Sequence, residues 1–117
     1  MKFIYFSQTG NIRRFIQKVE VNVDDGNEID LIEEPFVLIT YTTGFGEVPQ
    51  EVINFLKINR LYLSGVVGSG NKNWGENFCK ASTLISKRFN VPILMEFELA
   101  GNKHDVEKFN EIVKGLR

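Results

Sequence analysis

The chain has 117 residues, 43% of them apolar, which gives length for one domain and enough apolar matter for a single core. With 14 basic and 15 acidic side chains the net charge is −1, so no global field advertises nucleic acid or an anionic membrane. One cysteine, Cys79, excludes an internal disulfide and a cysteine metal site, and it points to a reducing compartment.

In chain order, Lys2 to Phe6 (KFIYF) is strand-like, and it is too short to be the apolar region of a signal peptide. No later window approaches the ~18 apolar residues of a membrane span, so a cytoplasmic protein is expected. Ile12, Phe15, Ile16 and Val19 then fall at helical spacing and predict a short amphipathic helix. A weak second strand is expected within Glu20 to Asp24 or Glu28 to Ile32. PFVLITY, Pro35 to Tyr41, is a nearly continuous apolar run, as in a strand buried on both faces of a parallel sheet. Gln50 to Leu56 reads as a helix entered after Pro49, and Gly65 to Gly68 as a short strand. Glu76 to Phe89 is helical by spacing, with Cys79 a small buried residue on it; Phe78 is expected in the core. Val91 to Leu99 (VPILMEFEL) is again a strand. The last helix is expected to be capped by Asp105, with Val106, Phe109, Ile112, Val113 and Leu116 as its buried stripe. His104, near its start, has a structural or surface role on this reading.

Strands alternating with helices predict an α/β fold: an open, doubly wound parallel sheet with right-handed crossovers. In such sheets ligands sit beyond the carboxyl ends of the strands, where the strand order reverses. The segments there are SQTGN (Ser7 to Asn11), TTGFGEVP (Thr42 to Pro49) and GSGNKNWG (Gly68 to Gly75). They hold six of the 10 glycines, with hydroxyls, amides and Trp74, and Glu47 as their only acid. SQTGN suits an anion: hydroxyls of Ser7 and Thr9, backbone amides at a helix start, Gly10 for close approach, and Asn11 to cap or donate. Taken alone, it also suits an ordinary helix cap with a tight turn.

Other phosphate motifs fail on spelling. No GxxxxGK(S/T) occurs, and the two GxG pairs are followed by Pro49 and Asn73 where a dinucleotide fingerprint needs its third glycine. A receiver domain needs acids at the end of its first strand, where Phe6 and Ser7 stand. A small tyrosine phosphatase needs an arginine six positions after its cysteine, where this chain has Ile85.

SQTGN directly after the first strand is similar to the phosphate loop of flavodoxins, although the chain is shorter than an ordinary flavodoxin and lacks their strongly acidic balance. YTTGFGEVP with GSGNKNWG is more specific. Together with FELAGNKHDVEKF near the end, it resembles NrdI, the flavodoxin-like accessory proteins of class Ib ribonucleotide reductase, over essentially the whole chain. The resemblance implies one flavodoxin-like domain over 1–117, with a five-stranded sheet in the order 2-1-3-4-5 and FMN as cofactor. Ser7, Gln8, Thr9, Gly10, Asn11 and Ile12 would then cradle the FMN phosphate. Thr42, Thr43, Gly44, Phe45 and Gly46 would flank the ring, with Ser69, Gly70, Asn71, Asn73, Trp74 and Gly75 on its other side. Gly44, Phe45 and Gly46 would form the environment of flavin N5, where a glycine peptide can turn its carbonyl toward a protonated nitrogen. Arg13, Arg14 and Lys72 are either solvated charges or cations that favour reduced, anionic flavin.

The implied function is that of an accessory redox protein rather than a stand-alone enzyme. Reduced FMN would react with O2 to supply superoxide or a peroxide-level oxidant to the dimanganese small subunit (NrdF), for assembly of a tyrosyl radical. A reductase would donate the electrons. Two alternatives stay open: a general electron-transfer flavodoxin, and a flavodoxin-like domain that binds no flavin and acts by docking.

Overall fold

A computed structural model describes residues 1–116; Arg117, the last residue of the expected domain, lies outside them. The chain runs β1 (Lys2–Tyr5), α1 (Asn11–Ile16), β2 (Asp24–Asp25), β3 (Phe36–Tyr41), α2 (Gln50–Asn59), β4 (Leu63–Gly70), α3 (Lys80–Phe89), β5 (Ile93–Glu98) and α4 (Lys103–Gly115). The five strands are parallel throughout and ordered β2-β1-β3-β4-β5, so the order reverses between β1 and β3.

Side-chain alternation along each strand builds a core on both faces of this sheet. Phe3 and Tyr5 of β1, with Val37 and Ile39 of β3, pack toward Ile12 and Phe15 of α1 and Phe109 and Val113 of α4. Ile4, Phe6, Phe36 and Leu38 pack the other way, against Val52, Phe55 and Leu56 of α2 and Ile85 of α3. Phe15 stacks on Phe97 with centroids 4.0 Å apart and meets Phe109 edge-on at 5.4 Å, which locks α1 and α4 to the end of β5.

Several boundaries differ from the sequence expectations. The second strand shrinks to two residues, because Asp25 turns to accept from the Asn27 amide (2.9 Å) and starts a 3-10 turn at Gly26–Glu28. α1 stops at Ile16, so Val19 packs on the core from outside the helix. α2 runs on to Asn59, and β4 extends from Leu63 to Gly70, so it takes in Ser69 and Gly70, which the sequence assigns to a loop. α3 begins only at Lys80: Gly75 (φ 55) and Cys79 (φ 52) break the helical path before it, leaving a 3-10 segment at Lys72–Asn77. Cys79 is fully buried as expected but caps α3, and Phe78 is half-buried outside both core clusters. α4 is capped by Asn102. Its side chain accepts from the Asp105 amide at 2.9 Å while Asp105 accepts from the Asn102 amide at 2.9 Å, so Asp105 is the reciprocal member of a capping box. Among the described residues no helix is long and apolar enough to cross a membrane.

Candidate functional site

The carboxyl ends of β1, β3 and β4 open into a cleft of about 200 Å³ at the point where the strand order reverses. A larger groove, about 810 Å³, lies between α2 and α3, but its only polar side chains are Lys57, Arg60 and Arg88. Those are cations on long flexible stems, whereas the strand-end cleft gathers short, fixed donors, and it is this cleft that the topology marks for a ligand.

The β1 end contributes Ser7, Gln8, Thr9, Asn11 and Ile12 to the lining. Among the described residues Ser7 Oγ is buried there without any hydrogen-bond partner. A hydroxyl left unpaired away from water is costly, and such an atom is satisfied when a ligand oxygen reaches it. Gly10 is the residue that caps α1, with φ 87, a left-handed conformation that glycine adopts freely, and no side chain caps the helix. Of the two roles the sequence leaves open for Asn11, capping does not occur. Asn11 is the first helical residue; its amide donates to Thr9 Oγ1 at 3.2 Å, and its oxygen accepts from the Arg14 guanidinium. Arg14 thus folds back over the loop, and a Cβ on Gly10 would lie 3.2 Å from its Nη1. Arg13 and Lys72 are exposed and do not line the cleft.

From the β3 end, Tyr41 and Thr42 line the cleft. Thr42 is buried, and its Oγ1 accepts from the Ala81 amide at 3.0 Å, which ties the loop to the first turn of α3. Thr43 and Glu47 then exchange backbone hydrogen bonds of 2.9 and 2.8 Å and close a small hairpin. Gly44 (φ 56), Phe45 and Gly46 (φ 91) form its tip, and Phe45 is 92% exposed. Thr43, Gly44, Phe45 and Gly46 stand outside the cleft lining. Gly46 nevertheless packs closely on the segment before α3, since a Cβ there would meet Asn77 Oδ1 at 2.6 Å.

The β4 end brings Ser69, Gly70, Asn71 and Trp74 to the lining but leaves Asn73 and Gly75 outside it. Asn71 accepts from the Asn73 amide at 2.9 Å and so starts the 3-10 segment that carries Trp74, which is 44% exposed. Ser69 Oγ donates to the Leu99 carbonyl at 2.7 Å. Behind this strand the backbone runs close to Cys79: a Cβ on Gly70 would lie 2.8 Å from the Cys79 nitrogen. Burial, and then the nearby Glu96, push the Cys79 thiol up to about 12, so it stays protonated.

Two lining residues escaped sequence reasoning, Tyr41 and Leu99. Tyr41 ends β3, so topology alone could have found it; its hydroxyl donates to Glu51 at 2.7 Å, and burial, then Glu51, raise its proton affinity. Leu99 follows β5, and no residue-type signal marks it. Glu98, beside it, accepts from the Lys72 amide at 3.0 Å and puts a carboxylate next to a loop that the sequence shows without acids.

The family model for NrdI flavodoxin-like proteins matches residues 3–111. The chain belongs to the NrdI flavodoxin-like family. Solved flavodoxins share its fold. It is similar to oxidised Flavodoxin 1 from Bacillus cereus at 20% identity and TM-score 0.74, covering 98% of this chain and 97% of that one. Oxidised Flavodoxin 2 from Bacillus cereus gives 24% identity and TM-score 0.66, with coverage of 98% and 99%. A short-chain flavodoxin associated with a non-canonical PDU bacterial microcompartment gives 20% identity and TM-score 0.72, with coverage of 98% and 94%. The NrdI match, like the sheet order, agrees with the sequence expectation.

Proposed function

We propose that the chain is a single FMN-binding domain of the cytoplasm that activates the small subunit of class Ib ribonucleotide reductase. The observation that carries the cofactor assignment is the buried, unpartnered Ser7 Oγ in the strand-end cleft. With Thr9, Asn11 and the backbone amides of Gln8 to Ile12, it forms a donor set suited to a phosphate, and Arg14 folded over Gly10 adds a cation beside it. At about 200 Å³ the cleft is smaller than the ~300–1,000 Å³ usual for pockets that enclose a ligand. The β1 loop would hold a mononucleotide by its phosphate, and half-exposed Trp74 at the cleft would flank its ring.

When bound, FMN supplies electron transfer to O2, and the resulting superoxide or peroxide-level oxidant serves the dimanganese centre of NrdF. The protein's own part is to hold the phosphate end, to leave the ring edge reachable by O2, and to offer NrdF the exposed rim made by Phe45 and Trp74. In this proposal Gly44, Phe45 and Gly46 act at flavin N5. Thr43, Asn73 and Gly75 support the two ring-flanking loops, and a reductase supplies the electrons.

Purified protein titrated with FMN is expected to turn yellow and quench the cofactor's fluorescence. Reduced anaerobically, mixed with manganese-loaded NrdF and exposed to O2, it is expected to give a tyrosyl radical signal in paramagnetic resonance. A protein that stays colourless overturns the cofactor assignment and leaves docking alone. A radical yield no greater than an ordinary flavodoxin gives overturns the NrdF role in favour of a general electron carrier.

A further inference from the structure

Leu99 has φ 54, in the left-handed region where a Cβ crowds the following carbonyl and where branched apolar side chains are rare. The conformation is imposed by its surroundings. The Leu99 amide donates to the Gly70 carbonyl at 2.9 Å, and its own carbonyl accepts from Ser69 Oγ at 2.7 Å. The Gly101 amide closes onto the Glu98 carbonyl at 2.9 Å, and Glu98 holds the Lys72 amide at 3.0 Å. These bonds sew the end of β5 to the β4 loop. The leucine side chain is not part of the core: it is 44% exposed, belongs to neither core cluster, and lines the cleft alongside Trp74. Glycine would adopt this backbone without strain and would expose no apolar surface. Residues kept in strained conformations by surrounding bonds concentrate where a ligand is clamped.

Resting on the FMN assignment above, we propose that Leu99 is an apolar wall of the cofactor cleft. On this proposal it is held in place before binding so that it covers the flavin ring system together with Trp74. It binds the cofactor's apolar part and leaves the phosphate to the β1 loop. Relief of the strain and loss of the wall then act in opposite directions, on the stability of the free protein and on its affinity.

The test compares the wild-type chain with Leu99→Gly and Leu99→Asn, the latter retaining a side chain that tolerates the left-handed region. Melting temperature is measured without cofactor, and dissociation constants for FMN and for riboflavin, which lacks the phosphate, are measured by fluorescence quenching. Both variants are expected to melt at or above the wild-type temperature and to bind FMN about tenfold more weakly. The same fold-loss is expected for riboflavin, since the phosphate is not involved. Affinity within about twofold of wild type in both variants overturns the proposal. So does a lower melting temperature in both variants accompanied by lost affinity, which assigns Leu99 to the fold. A wild-type chain that binds no FMN instead overturns the cofactor assignment itself.

Discussion

Ser7 and Leu99 sit in one cleft and carry opposite kinds of local cost, an unpaired hydroxyl and a strained backbone. Removing the hydroxyl separates stability from binding. Ser7→Ala is expected to leave the melting temperature of the free protein unchanged or slightly higher, because a buried unpaired oxygen disappears. FMN affinity is expected to fall about tenfold, the effect of losing one hydrogen bond to a charged oxygen (~1.4 kcal/mol), as read by calorimetric titration. Riboflavin affinity should not change. The hydroxyls and the single glycine of SQTGN were legible in the sequence because anion chemistry draws on few residue types, and the structure brings Ser7, Gln8, Thr9, Asn11 and Ile12 into the lining. Leu99 was not legible, because its part comes from a backbone angle set by Gly70 and Ser69, some 30 residues earlier in the chain.

Elements meet at points that propensity does not mark. Asn59, the last residue of α2, is buried; its amide donates to the carbonyls of Asp30 (3.1 Å) and Phe55 (3.2 Å), and its oxygen accepts from the Ile32 amide at 2.8 Å. This one side chain staples the β2–β3 connection to the helix and seats Ile32 in the core. Asn59→Ala leaves buried backbone groups unpaired and is expected to cost about 2–4 kcal/mol, read as a lower urea midpoint with unchanged slope. The same staple explains why the second strand could not be located from its residues. Glu28 to Ile32 alternates like a strand, yet its backbone groups are taken by α2 rather than by a neighbouring strand. α3 misled for the opposite reason: its apolar spacing continues back to Phe78, but left-handed Cys79 keeps the helix from starting before Lys80.

At the scale of the molecule, alternating apolar runs and a nearly unbroken β3 made the doubly wound sheet readable. Its buried groups also set its response to alkali. Cys79 and Tyr41 both hold their protons in the folded chain beyond the ordinary values of 9.0 and 10.0, chiefly through burial. Above pH 9.0 the unfolded chain releases the thiol proton while the folded chain keeps it until about 12. The unfolded state therefore binds fewer protons in that window, and stability falls as pH rises through it. Urea midpoints at about pH 8 and about pH 10 are expected to show this loss, and Cys79→Ala is expected to reduce it.

The brevity of β2 has a consequence for self-association. A two-residue border presents almost no row of free amides and carbonyls, so a foreign segment finds little to zip onto at that margin. The opposite margin, six residues of β5, is three times as long but carries the carboxylates of Glu96 and Glu98. Strand-on-strand polymerisation of this protein would have to begin along that rim, past the side chains of Glu96 and Glu98.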